Sequence, residues 1–265
     1  MSKEGAMYTP KTNQPDIKYL DLQAEVGITK HIGGFAATDE LLSLCHITNA
    51  KEVLNIGCGI GVGVAYIAQK FDCHVVGVDI SGKMIEWSRL RAREEKVEEK
   101  VELGVADVLD LPFEDDRFDA VIIESVLAFV KDKPRAIREC IRVTRRGGYV
   151  GLNESYWTKE PSAEMIGLVQ DSVGSSIPTA KTWHELWESC ELHERTVSLR
   201  QVDPRLETKD RLGWVGRRWA LRGFGRMLLL FFRNPSLRQS IKKFFGRTSL
   251  DTMQEIGYGI FVGRK

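Results

Sequence analysis

The stretch from Glu52 to Ile80 constrains this 265-residue chain more than any other. It opens on an apolar run, Val53 to Ile56, turns through Gly57, Gly59 and Gly61, and continues as a helix from Val62 to about Phe71. A second run, His74 to Val78, then ends at Asp79. Val64, Ala65, Ile67 and Ala68 fall on one side of the helix, which is the flank that packs on the strands. Glycines at a strand end let a ligand approach the backbone without meeting a Cβ, and the amides opening the next helix point at whatever sits there. A carboxylate at the tip of the second strand, about 20 residues on, can accept both hydroxyls of a ribose. The pattern is half of a mononucleotide-binding βαβ unit, and the expected ligand is an adenosine-type cofactor.

Spacing narrows the choice of cofactor. The dinucleotide fingerprint G-x-G-x-x-G/A fails in all three frames, because its last position falls on Val62, Val64 or Tyr66. What remains, Gly57-Cys58-Gly59-Ile60-Gly61, resembles the first motif of class I S-adenosylmethionine-dependent methyltransferases. A second stretch, Gly104-Val-Ala-Asp-Val-Leu-Asp-Leu-Pro-Phe-Glu-Asp-Asp-Arg-Phe-Asp119, resembles the third motif of that family, and Arg145-Arg146-Gly147-Gly148 resembles its usual turn into strand five. From about Lys30 to Gly151 the chain looks like a member of the large methyltransferase type 11 group, which includes the ubiquinone and menaquinone C-methyltransferases.

That resemblance implies an α/β fold with a Rossmann-like seven-stranded sheet of order 3-2-1-4-5-7-6. Strand 7 is antiparallel, helices cover both faces, and S-adenosylmethionine lies over strands one to four. Carried onto this chain, the cofactor contacts are Asn55, Gly57, Cys58, Gly59, Gly61, Asp79, Ile80, Met84, Ala106, Asp107, Val108 and Glu124. Asp107 takes the place of the acidic group that meets the adenine amino group, and the Val108 amide meets a ring nitrogen. Met84 competes with a plain core reading. One departure stands out: the family carries an acid two positions before the first glycine, and this chain has Asn55. An amide still accepts a hydrogen bond but brings no charge for the cofactor's ammonium.

The remaining strands are read at Val101–Val105, Phe118–Ile123, Tyr149–Leu152, Leu192–Val202 and Glu255–Val262. Residues 1–48 form an arm and covering helices, Ile17–Val26 and a second helix capped by Thr38. Residues 49–265 form the methyltransferase domain, with a basic helical insert at about 205–250. By resemblance Lys30, His31 and Gly33–Phe35 belong to a lid over the cofactor; a loop with a satisfied His31 is the competing reading.

Methyl transfer from a sulfonium is a direct displacement, so alignment of the acceptor and exclusion of water matter most. If the acceptor must lose a proton, Glu124, His31 and Glu154 are the candidate bases. Asn153, Tyr156 and Trp157, at the end of strand five, are expected to shape the acceptor pocket. The expected acceptor is a small molecule or a lipid- or quinone-like compound. An RNA or protein methyltransferase is the alternative, disfavoured by Glu124-Ser-Val-Leu127 where an Asn/Asp-Pro-Pro-aromatic motif would stand. A non-catalytic S-adenosylmethionine-binding protein is another.

Composition sets the outer bounds. With 43% apolar residues the chain can build one large α/β domain plus an elaboration. Five cysteines with no C-x-x-C pair indicate neither a disulfide framework nor a metal site. Met1–Lys18 lacks the apolar core of a signal peptide, and the longest apolar run, Met227–Phe232, is too short to span a bilayer, so a cytoplasmic or membrane-peripheral protein is expected.

The net charge of +1 hides a segregation: residues 211–247 hold ten Lys or Arg and no Asp or Glu, leaving 28 basic against 37 acidic residues elsewhere, a net −9. In this insert Arg218, Arg222 and Arg226 share a helix face, with Trp214, Trp219, Phe224, Leu228 and Phe231 supplying apolar bulk, and a second basic helix follows Pro235. Docking on an anionic membrane surface and a structural cap are the main readings. Nucleic acid is disfavoured, because an acidic body repels a phosphate backbone. The sequence is silent on oligomeric state.

Overall fold

The computed structural model describes residues 18–29, 31–49, 51–202, 213–233 and 255–265. Lys30 and the helix expected after Pro235 lie outside these residues. Two helices lead in, α1 (Lys18–Val26) and α2 (Gly34–Leu44). The first βαβ unit follows as β1 (Glu52–Ile56), α3 (Val62–Phe71) and β2 (His74–Asp79), within a residue of the expected bounds. Then come α4 (Gly82–Glu94), β3 (Val101–Val105), β4 (Phe118–Glu124), α5 (Lys133–Val143) and β5 (Thr144–Trp157). The chain continues as α6 (Ala163–Val173), α7 (Ala180–Glu188), β6 (His193–Gln201), α8 (Arg217–Arg233) and β7 (Ile256–Arg264). The sheet has the expected order, β3-β2-β1-β4-β5-β7-β6, and β7 runs antiparallel to both its neighbours.

The strand period of two divides the apolar residues between two cores. Leu54, Ile56, Val121, Ile123 and Leu152 face one side, against Ile137 and Cys140 of α5 and Trp183 and Trp187 of α7. Val53, Ala120, Ile122 and Ile260 face the other, against Leu41 and Leu42 of α2 and Val64 and Ile67 of α3. Phe118 to Ile123 is wholly buried, which explains why β4 reads as an unbroken apolar run. Side chains set several helix starts: Ser81 Oγ accepts the Met84 amide at 3.4 Å to cap α4, and Asp132 Oδ1 accepts the Arg135 amide at 3.0 Å to cap α5.

Two expectations are corrected, and the orientation of one helix is new. Thr38 does not cap a helix; α2 begins one turn earlier at Gly34, where Gly33 in a left-handed conformation (φ 87°) turns the chain, and Thr38 is buried inside it. The fifth strand does not end at Leu152; Asn153 to Trp157 stay in the sheet, paired with β7 from Asn153↔Ile260 to Trp157↔Ile256. In α8 the face carrying Arg222 and Arg226 is turned inward. Arg222 Nη1 meets Glu94 Oε1 at 2.6 Å, and the Arg226 guanidinium lies 3.7 Å from the Trp87 ring centroid. No helix among the described residues is long and apolar enough to cross a membrane.

Candidate active site

The glycine turn after β1 is closed by protein groups. Gly57, Gly59 and Gly61 all have positive φ, of 68°, 54° and 79°. A Cβ on Gly59 would lie 2.9 Å from Thr29 Oγ1, and one on Gly57 would collide with Val126. Glycine is thus required twice, by backbone conformation and by the two segments folded onto the turn.

Asp79 ties this turn to the tip of β2. Its Oδ2 accepts the Gly59 amide at 3.0 Å and its Oδ1 accepts the Ser81 amide at 2.9 Å, while its backbone carbonyl takes the Ala106 amide at 3.1 Å. Burial pushes the Asp79 carboxyl above its ordinary value, opposed by the two amides. Beside it Ile80 is 37% exposed, an apolar shelf at the mouth of the sheet. Asp107, across the shelf, uses Oδ1 to accept the Leu109 amide at 2.9 Å. Met84 is buried among Ile60, Val62, Trp214 and Trp219, and Ala106 and Val108 are buried in the β4–α5 core. Cys58 is also buried, which raises its thiol pKa, and its amide donates to the Val78 carbonyl at 3.0 Å.

Asn55, Glu124 and Asn153 form a polar row across three neighbouring strands. Asn55 pairs with Ile122, two residues before Glu124, and Glu124 pairs with Asn153, so the three side chains share the face covered by α2 and α3. Asn55 and Glu124 converge on Gly63: a Cβ placed there would lie 3.7 Å from the Asn55 amide group and 3.8 Å from Glu124 Oε2. The Thr38 hydroxyl donates to Glu124 Oε1 at 2.8 Å, and His31 Nε2 lies 3.1 Å from Thr38 Oγ1. Because the hydroxyl proton is used on Glu124, His31 Nε2 is the donor to Thr38.

His31 Nδ1 lies 3.0 Å from the Ile32 carbonyl, 3.2 Å from Asn153 Nδ2 and 3.8 Å from Glu124 Oε1. Asn153 Nδ2 also donates to the Ile32 carbonyl at 2.9 Å, and Asn153 Oδ1 is buried with no partner among the described residues. Ser125 follows with φ 57°, a left-handed turn held by its amide on the Asn153 carbonyl at 2.8 Å. Phe35, Trp214 and Tyr258 wall this end, with the His31 and Trp214 ring centroids 4.1 Å apart and those of Phe35 and Trp214 4.5 Å apart.

The structure brings together Asn55, Glu124, His31 and Asn153, and it separates Glu154 and Tyr156 from them. Glu154 points to the opposite face of the sheet, fully buried, and its Oε1 accepts the amides of Val126 and Leu127 at 2.8 Å each. Burial raises its pKa to about 7, against the pull of those amides and of Lys133. This corrects the expectation that Glu154 faces an acceptor: it holds the turn after β4. Tyr156 likewise packs in the core with Trp183 and Phe261, its hydroxyl 3.5 Å from the Arg200 carbonyl. Trp157 is buried beside the α6–α7 connection, its amide on the Pro178 carbonyl at 3.0 Å. Thr29, Thr38 and Arg91 were not anticipated. Arg91, buried, donates from Nε to the Ile60 carbonyl at 3.0 Å and from Nη2 to the Val215 carbonyl at 3.1 Å, joining the glycine turn to the segment before α8.

Residues 54–152, the segment that holds most of this geometry, match a family model described as a methyltransferase domain. Phosphoethanolamine N-methyltransferase 1 of Arabidopsis thaliana is 35% identical over 139 residues, covering 52% of this chain and 28% of that protein. The methyltransferase GfsG of Streptomyces halstedii is 31% identical over 150 residues, covering 56% of this chain and 51% of that protein. The chain thus spans between about a quarter and about half of these relatives. Among solved structures, phosphoethanolamine N-methyltransferase 2 of Haemonchus contortus in complex with S-adenosyl-L-methionine has a TM-score of 0.70 at 18% identity, covering 96% of this chain and 58% of that one. The [4+2]-cyclase SpnF has a TM-score of 0.70 at 20% identity, covering 92% of both chains. The structural likenesses establish the fold, and one such fold serves different reactions. Residues 54–152 thus match a methyltransferase domain, carried on a sheet of the kind that these solved structures share.

Proposed function

We propose that this protein transfers the methyl group of S-adenosylmethionine to a small, largely apolar acceptor. The observation that carries the reading is the Asp79 carboxylate, aimed at the mouth between the Gly59 and Ser81 amides with the open Ile80 shelf beside it. These residues fit the cofactor. Asp79 has oxygen lone pairs for ribose hydroxyls, Ile80 offers a flat apolar surface for a base, and Asn55 and Glu124 present polar groups where an amino acid moiety would lie. The cofactor, when bound, supplies an activated methyl group, and the protein's contribution is alignment and exclusion of water.

Glu124 has the central role among the polar residues. It supplies beside Gly63 the negative charge that Asn55 lacks, and the Thr38 hydroxyl and His31 hold it in place. His31 has both ring nitrogens directed at protein groups, so in this arrangement it acts by positioning Glu124 rather than by touching an acceptor. Asn153, whose Nδ2 donates to the Ile32 carbonyl, holds the segment that carries His31. Phe35, Trp214 and Tyr258 favour an apolar body on the acceptor, of lipid or quinone type.

Solved structures named for phosphoethanolamine and geranyl diphosphate methyltransferases share the fold, so acceptor choice is assigned here to the parts outside the sheet. Release of S-adenosylhomocysteine on mixing the protein with S-adenosylmethionine and quinol, prenyl or phosphoethanolamine acceptors tests the proposal. Release that requires an apolar acceptor and vanishes in Asp79→Ala supports it. Tight cofactor binding without release for any acceptor would favour a cofactor-binding protein that does not methylate.

A further inference from the structure

Helix α8 is built inside out. Its inner face presents Trp219 and Gly223 together with two arginines, and Gly223 is closed against Ile28 so tightly that a Cβ would collide with it. The arginines are accommodated there by specific partners: Arg222 pairs with Glu94 at 2.6 Å, and Arg226 stacks on Trp87. The outer face carries what a solvated helix would bury. Leu221 is 73% exposed, Phe224 54%, Leu228 44% and Leu229 56%. Leu221, Phe224 and Leu228, at spacings of three and four, form one stripe along the helix. Isolated exposed leucines need no explanation, whereas a continuous stripe marks a binding surface.

We propose that this stripe docks on the surface of an anionic lipid bilayer. The charges around it choose the partner. Arg217 and Arg218 stand exposed at one end of the stripe and Arg233 at the other. Apolar residues between cationic ends match a lipid interface with anionic headgroups. A second copy of the chain laid antiparallel on the same stripe would instead set Arg217 and Arg218 against Arg233 of its twin, like charge against like.

The sequence offers an anionic membrane surface as one reading of this insert, and the fold decides which face of α8 is left to meet it. Here Arg222 and Arg226 are bound to the body, and the leucines and phenylalanine enter the interface. The inner face of α8 rests on Ile28 and Trp87, next to Thr29 on the glycine turn, so the docking surface lies beside the cofactor mouth. The proposal does not depend on which group the domain transfers.

The test is co-sedimentation of the full chain with vesicles of phosphatidylcholine alone and of phosphatidylcholine mixed with phosphatidylglycerol, at low and high salt. Wild type is expected on the mixed vesicles, with binding reduced by salt. Leu221→Glu/Phe224→Glu should bind at least about tenfold more weakly, because two large apolar groups no longer enter the interface. Arg217→Glu/Arg218→Glu should remove the preference for phosphatidylglycerol without touching the stripe. Calorimetric binding of S-adenosylmethionine by both variants, at the wild-type affinity, confirms that each is folded. Wild type that stays in the supernatant with both vesicles, or a stripe variant that sediments like wild type, overturns the proposal. So does a wild-type dimer that the stripe substitutions dissolve, which would assign the surface to self-association.

Discussion

The amide of Gly59 donates to Oδ2 of Asp79 at 3.0 Å, joining two residues 20 apart in sequence. The bond orients a carboxylate whose other oxygen is held by Ser81, so Asp79 is fixed before any ligand arrives. Asp79→Asn keeps the shape but removes the charge and one acceptor. It should weaken S-adenosylmethionine binding by about tenfold to a hundredfold, the range for hydrogen bonds to a charged group, and lower stability by about 1–3 kcal/mol, because the new NH2 group faces the Gly59 or Ser81 amide. Isothermal titration beside a melting curve checks both halves. A large fall in melting temperature with unchanged affinity would reassign Asp79 to the scaffold.

Glu124 and Asn55 should exchange roles. Both converge on Gly63, and only Glu124 carries charge. Glu124→Gln is expected to weaken cofactor binding by about tenfold, and adding Asn55→Asp to that variant should restore part of the loss. In wild type, Asn55→Asp should gain little, because two adjacent carboxylates resist joint ionisation. Affinities of the four proteins in one titration series decide the matter; simple additivity would show that the two sites do not communicate.

Glu154 makes stability depend on pH. Burial raises its pKa from 4.5 to about 7, so the fold favours the protonated form. Its contribution is full below pH 4.5 and is lost as pH rises through about 7, with a ceiling of ~3 kcal/mol. Glu154→Gln, which cannot ionise, should flatten the dependence in this window and be more stable than wild type on its alkaline side. Denaturant midpoints across the window measure it. Parallel wild-type and variant curves would remove Glu154 as the cause.

Arg91 links the glycine turn to the cap. It bonds the Ile60 and Val215 carbonyls, pairs with Glu95 at 2.7 Å and lies 4.2 Å from the Trp219 ring centroid. Lysine cannot reproduce that fork or the stacking, so Arg91→Lys should destabilise the protein by about 2 kcal/mol and weaken cofactor binding through the displaced turn. Urea unfolding and calorimetry test the pair of effects; a variant unchanged in both would mean the cap is independent of the turn.

The strands and the glycine turn were legible in sequence because their signals are local. β1, α3 and β2 follow from a short apolar run, three glycines and a helical period, and Asp79 from its distance to them. The Thr38–Glu124 bond joins residues 86 apart, and neither has a neighbour that announces the other. Capping is the common use of threonine before an apolar run, and nothing local to Thr38 points instead to its distant partner.

The orientation of α8 was hidden for a different reason. Periodicity tells which residues share a face but not which face is packed. Here the packed face is the one whose arginine guanidinium groups lie over tryptophan rings. A fifth strand that stops at Leu152 leaves Glu154 at the mouth, whereas the pairing with β7 carries the strand on to Trp157. The period of two, carried past Leu152, puts Glu154 on the face opposite Asn153.

Cofactor binding is decided by calorimetric titration of the full chain with S-adenosylmethionine and S-adenosylhomocysteine, for wild type and Asp79→Ala. Saturable binding of both ligands by wild type, lost in the variant, is the predicted result. A wild-type protein that binds neither, or a variant that binds both as tightly as wild type, would contradict it.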